Sequence, residues 1–325
     1  MSTISLTASM RSNLLSLQNT QSLMDLTQER LSTGKKVNSA IDNPSSYYTA
    51  QSLSNRAGDL SALLDSMGQA VQTIKAADEG IQTITTFAQQ AKAVAQSAAD
   101  SSDVTERKAY EEQFNEILKQ IDAVAADSSY KGINLLGGTT NKLTVKFSEK
   151  TASDSNLEIV GVDATTKGGA DSLNIADAAD WDKVTDYSDL EDAVTEKKAA
   201  YEAAPTDPDA KAAYDNAVKA LNDKKAEDMQ NQLTAINNSI TAIEGAISKL
   251  RNWSSEFGNN YSIVQSREEF TENLINVLTE GADKLTLADM NEESANMLAL
   301  QTRQQLAINS LSLASQASQS VLKLF

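Results

Sequence analysis

The two ends of this 325-residue chain are long amphipathic stretches that carry almost no charge. From Met297 onward apolar residues fall at Leu300, Ile308, Leu311, Ala314, Val321 and Phe325. These intervals are built from threes and fours, which lays one stripe along a helix. The other face carries Gln301, Gln304, Gln305, Asn309, Ser312, Gln316 and Ser320, and beyond Arg303 the only side-chain charge is Lys323. The N-terminus matches it. Leu6, Met10, Leu14, Leu17, Met24 and Leu31 form a stripe, and Arg11 and Asp25 are the only charged side chains before Glu29. A helix on the surface of a monomer presents Lys and Glu to water, whereas an amide and hydroxyl face suits burial among other helices. Either the two ends close a bundle within one monomer or they form an assembly surface, and composition leaves both open.

Composition excludes more than it selects. The chain has no Cys and no His, which removes thiol nucleophiles, disulfides, imidazole bases and the commonest zinc sites. Its Asp and Glu residues are scattered, with no motif that would set two across a substrate. In the acidic middle, Asp180, Asp182 and Asp186 lack the loop glycine and terminal glutamate of a hand-type calcium site. We therefore expect no enzyme, no catalytic residue, no metal and no cofactor. A net charge of −17 without any basic run argues against nucleic acid. No apolar run is long enough to span a membrane, so no membrane insertion is expected, and no basic segment followed by a hydrophobic core marks a secretory leader.

Taken in order, the first helix is expected to end near Gly34, followed by a polar linker to Asn43. Asn43 with Pro44 is a helix start, Asn as cap and Pro preset at the first helical position. Leu53, Leu60, Leu64, Met67, Val71, Ile74, Ile81, Ile84, Ala88, Ala91, Ala95 and Ala98 then keep coiled-coil spacing up to a break at Asp100 to Asp103. Unbroken, about 55 residues at 1.5 Å each make a rod of roughly 80 Å. A second helix is predicted from Val104 to Ala126, with Phe114, Leu118 and Ile121 on one side. Leu143, Val145 and Phe147 alternate with polar residues, as Leu157, Ile159 and Val162 do approximately, which is strand spacing. From Thr165 to Asp228 the texture turns acidic, and a helical hairpin is expected with its turn at Pro205 to Pro208. Helical spacing resumes at Met229 and continues through Ile243, Leu250, Phe257 and Leu278. The expected fold is mainly α: long antiparallel helices from both termini in a coiled-coil-like bundle, a small β element, and a central α/β or helical-hairpin insert.

Two segments carry a family resemblance. Glu-Arg-Leu-Ser-Thr-Gly-Lys-Lys-Val-Asn-Ser-Ala from Glu29, followed by Ile41-Asp-Asn-Pro, resembles the N-terminal signature of bacterial flagellins. Ala288-Asp-Met-Asn-Glu-Glu-Ser-Ala, Leu300-Gln-Thr-Arg-Gln-Gln-Leu and Ser320-Val-Leu-Lys-Leu-Phe resemble the C-terminal one. The resemblance covers roughly residues 1 to 138 and 229 to 325. It implies a filament subunit used for swimming, with residues 1–44 and 290–325 as the inner core, 45–138 and 229–289 as a long-helix rod domain, and 139–228 as an outer variable insert. The stripe residues Leu6, Met10, Leu14, Leu17, Met24, Leu31, Leu300, Ile308, Leu311, Ala314, Val321 and Phe325 then become the polymerisation interface, with Asn43 and Pro44 as linker and helix start. The implied partners are many copies of the same chain, an export chaperone on the C-terminal helix, and the filament cap and hook-associated proteins. The implied location is the extracellular flagellum, reached through the flagellar type III pathway without a cleaved signal. A hook-filament junction adaptor is the alternative within the same resemblance. Flagellins sensed by the vertebrate innate receptor carry arginine late in the first long helix; Phe87 to Gln96 has none, which argues against receptor activation.

Overall fold

A computed structural model describes residues 8–149, 155–169 and 171–322. Among these described residues, six helices and four short strands follow one another: α1 (Ala8–Thr33), α2 (Pro44–Asp100), α3 (Val104–Asp127), β1 (Ser129–Tyr130), β2 (Ile133–Asn134), β3 (Lys142–Lys146), β4 (Asn156–Val160), α4 (Ser188–Ala203), α5 (Pro208–Thr286) and α6 (Met290–Leu322). The mainly helical expectation holds.

Local chemistry sets the boundaries. Gly34 ends α1 at φ +70°, and its N–H donates to the Arg30 carbonyl at 2.8 Å, the left-handed cap that glycine alone enters freely. At the start of α2, Asn43 Oδ1 accepts from the Ser46 N–H at 3.1 Å, and Pro44 is the first helical residue. Asp103 caps α3 by accepting from the Thr105 N–H at 2.8 Å. The turn joining β1 to β2 has Lys131 and Gly132 both at positive φ, the tight hairpin geometry whose twist matches the flanking strands. One boundary differs from expectation: the acidic helix after Pro208 and the apolar helix expected to resume at Met229 are a single 79-residue helix. Between Asp209 and Glu244 there is no Gly or Pro, so nothing local interrupts the backbone ladder.

The chain divides into two compact units, Met1–Ala62 with Thr271–Phe325, and Leu63–Phe270. In the larger unit α2 and α5 run antiparallel, tied by Ser254 Oγ donating to Asp78 at 2.9 Å and by Lys92 to Glu244 at 2.6 Å. Its core is a ladder of Met67, Ile74, Ile81, Ile84, Ala88, Ala91, Ala95 and Ala98 on α2 against Phe114, Leu118 and Ile121 of α3 and Ile236, Ile243, Leu250, Phe257 and Val264 of α5. The late alanines let the helices approach closely, so small residues here are a packing choice. β3 and β4 pair antiparallel with Leu143 opposite Ile159 and Val145 opposite Leu157, which turns the alternating apolar residues to one side.

The middle of the chain is partly core. Leu173, Ile175, Ala178 and Trp181 sit in the same buried cluster as the long helices, and Trp181 packs on Phe114 with ring centroids 5.1 Å apart. Only beyond it do buried residues stop: α4 has none, and neither do residues 208–227 of α5. That hairpin is closed by the stacked rings of Tyr201 and Tyr214 and by Lys225 pairing with Glu191 at 3.1 Å.

Two helical glycines separate opposite roles. A Cβ on Gly80 would lie 2.3 Å from Ser128 Oγ and 2.7 Å from Leu136 Cδ1, whereas a Cβ on Gly58 meets nothing within 4 Å. Gly80→Ala should destabilise by about 1–3 kcal/mol through overpacking, and Gly58→Ala should stabilise by up to about 1 kcal/mol through helix propensity. Thermal unfolding followed by circular dichroism checks both; a Gly80→Ala protein as stable as the parent would contradict the close packing of Gly80 against Ser128 and Leu136.

Candidate assembly surface

The smaller unit is built on α1 and α6, which pack antiparallel: Gln21 meets Gln304 and Arg30 meets Glu293. Its connecting segments are ordered by backbone pairing. Lys36 and Val37 N–H groups both reach the Thr286 carbonyl, at 2.7 and 3.3 Å, and the Ala288 N–H reaches the Gly34 carbonyl at 3.0 Å. Asp42 accepts from the backbone of Asn38 and Ser39, both at 2.9 Å, and these bonds hold its pKa below the usual carboxylate range. The linker is therefore a short antiparallel clasp followed by a turn that Asp42 closes, rather than a loose tether.

The sequence-predicted stripe residues fall into three groups. Met10 and Leu300 are buried, and Leu17, Met24, Leu31, Leu311 and Ala314 are half-buried within the pair. Leu14 and Ile308 are exposed. Leu6 and Phe325 lie outside the described residues, as does the side chain of Val321. Asn43 and Pro44 are exposed at the start of α2.

A second apolar row was not singled out from the sequence. Leu15, Leu23 and Leu26 on α1 and Leu298, Leu306 and Leu313 on α6 are all exposed, the last three at 66, 62 and 66%. On each helix these leucines lie away from the buried row, so the helices are apolar on two sides. The signal was available: the terminal leucines are too many and too evenly spread for one stripe. With so few charges nearby, such a surface is poorly suited to water, and contiguous apolar surface of this kind marks an interaction site.

The larger unit has a different electrostatic character. Residues 163–169 and 171–187 form an irregular strap, several of whose backbone N–H groups find acceptors on the helices. The Thr166 N–H donates to Asp122 at 2.7 Å, the Ala178 N–H to Asn115 at 2.8 Å, the Trp181 N–H to Glu111 at 2.9 Å and the Thr185 N–H to Asp228 at 2.7 Å. Three carboxylates and one carboxamide here replace a missing strand partner. Burial raises the pKa of Glu111, with Asp182 and Asp180 adding to the effect. Asp228 is held down to about 2, first by the Tyr187 hydroxyl and then by Thr185. Tyr187 is pushed up to about 12, by its burial and then by the Asp228 acceptor. Arg107, also buried, donates to the Ser101 carbonyl and to Gln232, which donates to the Lys183 carbonyl at 2.8 Å. Among the described residues no group of three acidic side chains could hold a metal, and no helix is long and apolar enough to cross a membrane.

Comparison with known proteins follows the same partition of the chain. Residues 2–141 match the family described as bacterial flagellin N-terminal helical region, and residues 240–325 the bacterial flagellin C-terminal helical region. The chain is 28% identical to Flagellin FljM of Caulobacter vibrioides, over 96% of this chain and 95% of that protein. It is also 28% identical to a flagellin of Brucella melitensis over the same shares, and 26% identical to Flagellin C of Rhizobium meliloti over 93 and 92%.

The strap clasp has a pH signature. A carboxylate with a depressed pKa stabilises the fold fully above the unfolded value of about 4, and that stability is lost as pH falls through about 2. A phenol with a raised pKa stabilises it below 10, and the contribution is lost as pH rises through about 12. Asp228→Asn should flatten the acid limb and Tyr187→Phe the alkaline limb of stability against pH; limbs parallel to the parent's would show that the clasp carries no such linkage.

Proposed function

This chain belongs to the bacterial flagellins and is a structural, non-enzymatic subunit of the flagellar filament, and from that premise we propose how its parts divide the work. Residues 1–44 and 290–325 form the inner core of the filament, residues 45–138 and 229–289 the surrounding long-helix layer, and residues 139–228 the outer face. Polymerisation contacts run through both apolar sides of the terminal helices. One side, with Met10, Leu17, Met24, Leu31, Leu300, Leu311 and Ala314, joins α1 to α6. The other, with Leu15, Leu23, Leu26, Leu298, Leu306 and Leu313, meets neighbouring copies, helped by Leu14 and Ile308 at its margins; Leu6, Val321 and Phe325 join the proposed interface on sequence alone.

The observation that carries this reading is the exposed leucine row on helices with almost no charge to keep it solvated. The same feature supports the partner proposals. Before assembly the apolar sides of α6 need cover, which an export chaperone bound to the C-terminal helix supplies, and at the filament ends the cap and hook-associated proteins present matching helices. Delivery through the flagellar type III pathway accounts for a subunit that ends in an extracellular filament.

Leu306→Asp tests the outward row. Between packed subunits an unpaired carboxylate costs several kcal/mol, and the cost recurs in every copy. On a surface that stays solvated the change is worth no more than about 0.5 kcal/mol. Thermal unfolding of the monomer should therefore be unchanged while the critical concentration for polymerisation, measured by sedimentation of seeded filaments, rises steeply. Filaments that grow as readily as the parent's would show that the row faces solvent in the polymer.

A further inference from the structure

The apolar pattern of α1 and α6 does not decide which of their faces meet. The side of α1 enclosed in the pair carries Met10, Leu17, Thr20, Met24, Thr27 and Leu31, two of them hydroxyls, while the outward side carries Leu15, Leu23 and Leu26. On α6, Leu300, Leu311 and Ala314 turn inward and Leu298, Leu306 and Leu313 outward. Rotating either helix, or sliding it by a turn, would bury a comparable set of leucines, so apolar area alone cannot choose between the arrangements.

Two polar contacts can. Gln304 Nε2 donates to Gln21 Oε1 at 2.7 Å, and Arg30 NH1 donates to Glu293 Oε1 at 2.9 Å, with the Glu293 side chain only 9% exposed. Any slip would leave that carboxylate enclosed without its cation, a far larger penalty than a few square ångströms of apolar surface. The pair is also not built for stability alone. Arg30 Nε is buried with no hydrogen-bond partner among the described residues, which costs free energy that an apolar contact would not.

We infer that Arg30 and Glu293 are positioning residues: their ion pair fixes the register and facing of α1 on α6, and thereby determines which leucines are left for neighbouring copies. This rests on the reading that the terminal helices pair in the filament. It makes the pair a device of specificity, of the kind that a single buried polar contact provides in coiled coils.

The test uses assembled filaments. Because the chain has no cysteine, Gln28→Cys and Asn296→Cys, both at exposed positions near the ion pair, can be spin-labelled without background. Doubly labelled chains are diluted among unlabelled ones, and the distance between labels is measured by pulsed electron resonance. The parent should give one narrow distance. Glu293→Gln should broaden it or add a population displaced by about one helical turn, roughly 5 Å, and the exchange Arg30→Glu with Glu293→Arg should restore the single distance. A Glu293→Gln chain that keeps the parent's distance overturns the inference, since apolar packing would then set the register. Should Glu293→Gln fail to enter filaments, recovery of assembly by the exchange supports the inference and failure to recover overturns it. A broad distribution in the parent itself would instead show that the helices do not pair in the filament, and both readings would fall.

Discussion

The structure depends on a pairing between the two ends of one chain. Neither α1 nor α6 can satisfy its apolar sides alone, and neither has the charges that would let it stay in water as a surface helix. Among the described residues of their unit, α1 and α6 pack on each other. A two-helix pair offers each member one covered side and leaves the rest bare, so a sequence apolar on two sides is underserved by any monomer. In the proposed filament, the apolar side that the single chain leaves bare is what a further copy covers, and its burial would favour addition of that copy.

The larger unit solves the opposite problem. Its helices cover one another through an alanine and isoleucine ladder, and what remains is an irregular strap with no strand to pair with. Four polar side chains on the helices, Glu111, Asn115, Asp122 and Asp228, supply the missing acceptors. Part of the chain's acidity is therefore structural. Asp228 resists protonation because the Tyr187 hydroxyl and then Thr185 donate to it, while burial, with Asp182 and Asp180 adding to it, pushes Glu111 the other way even though Glu111 accepts the Trp181 N–H.

Much of this was legible in the sequence because boundary chemistry is local. Gly34, Asn43 with Pro44, and Asp103 each announce a helix end by a mechanism confined to a few residues, and α1, α2 and α3 follow. The 79-residue course of α5 was harder to see, since the change from acidic to apolar texture at Met229 looks like a boundary although nothing breaks the backbone there. The strap was invisible for another reason. Leu173, Ile175, Ala178 and Trp181 follow no helical or strand period, and only the fold shows that their spacing suits an irregular chain lying across α3. Trp181, one of the chain's two tryptophans and set in a polar acidic stretch, was the available hint. On α1 and α6 the error of reading was to seek one stripe where the leucines form two.

That doubling bears on how such a chain avoids misassembly. A helix apolar on one side has its partner face chosen by burial alone, and errors of register are penalised at every leucine. A helix apolar on two sides loses this protection, because each wrong arrangement recovers most of the area it gives up. Specificity must then come from groups that cannot be recovered elsewhere. A buried carboxylate is such a group: among the described residues the ion pair that Glu293 makes is with Arg30, on helices otherwise rich in amides, hydroxyls and hydrocarbon. Few charges at the ends thus serve two purposes. They leave the helices able to pack on many neighbours, and they make the one enclosed ion pair between α1 and α6 decisive.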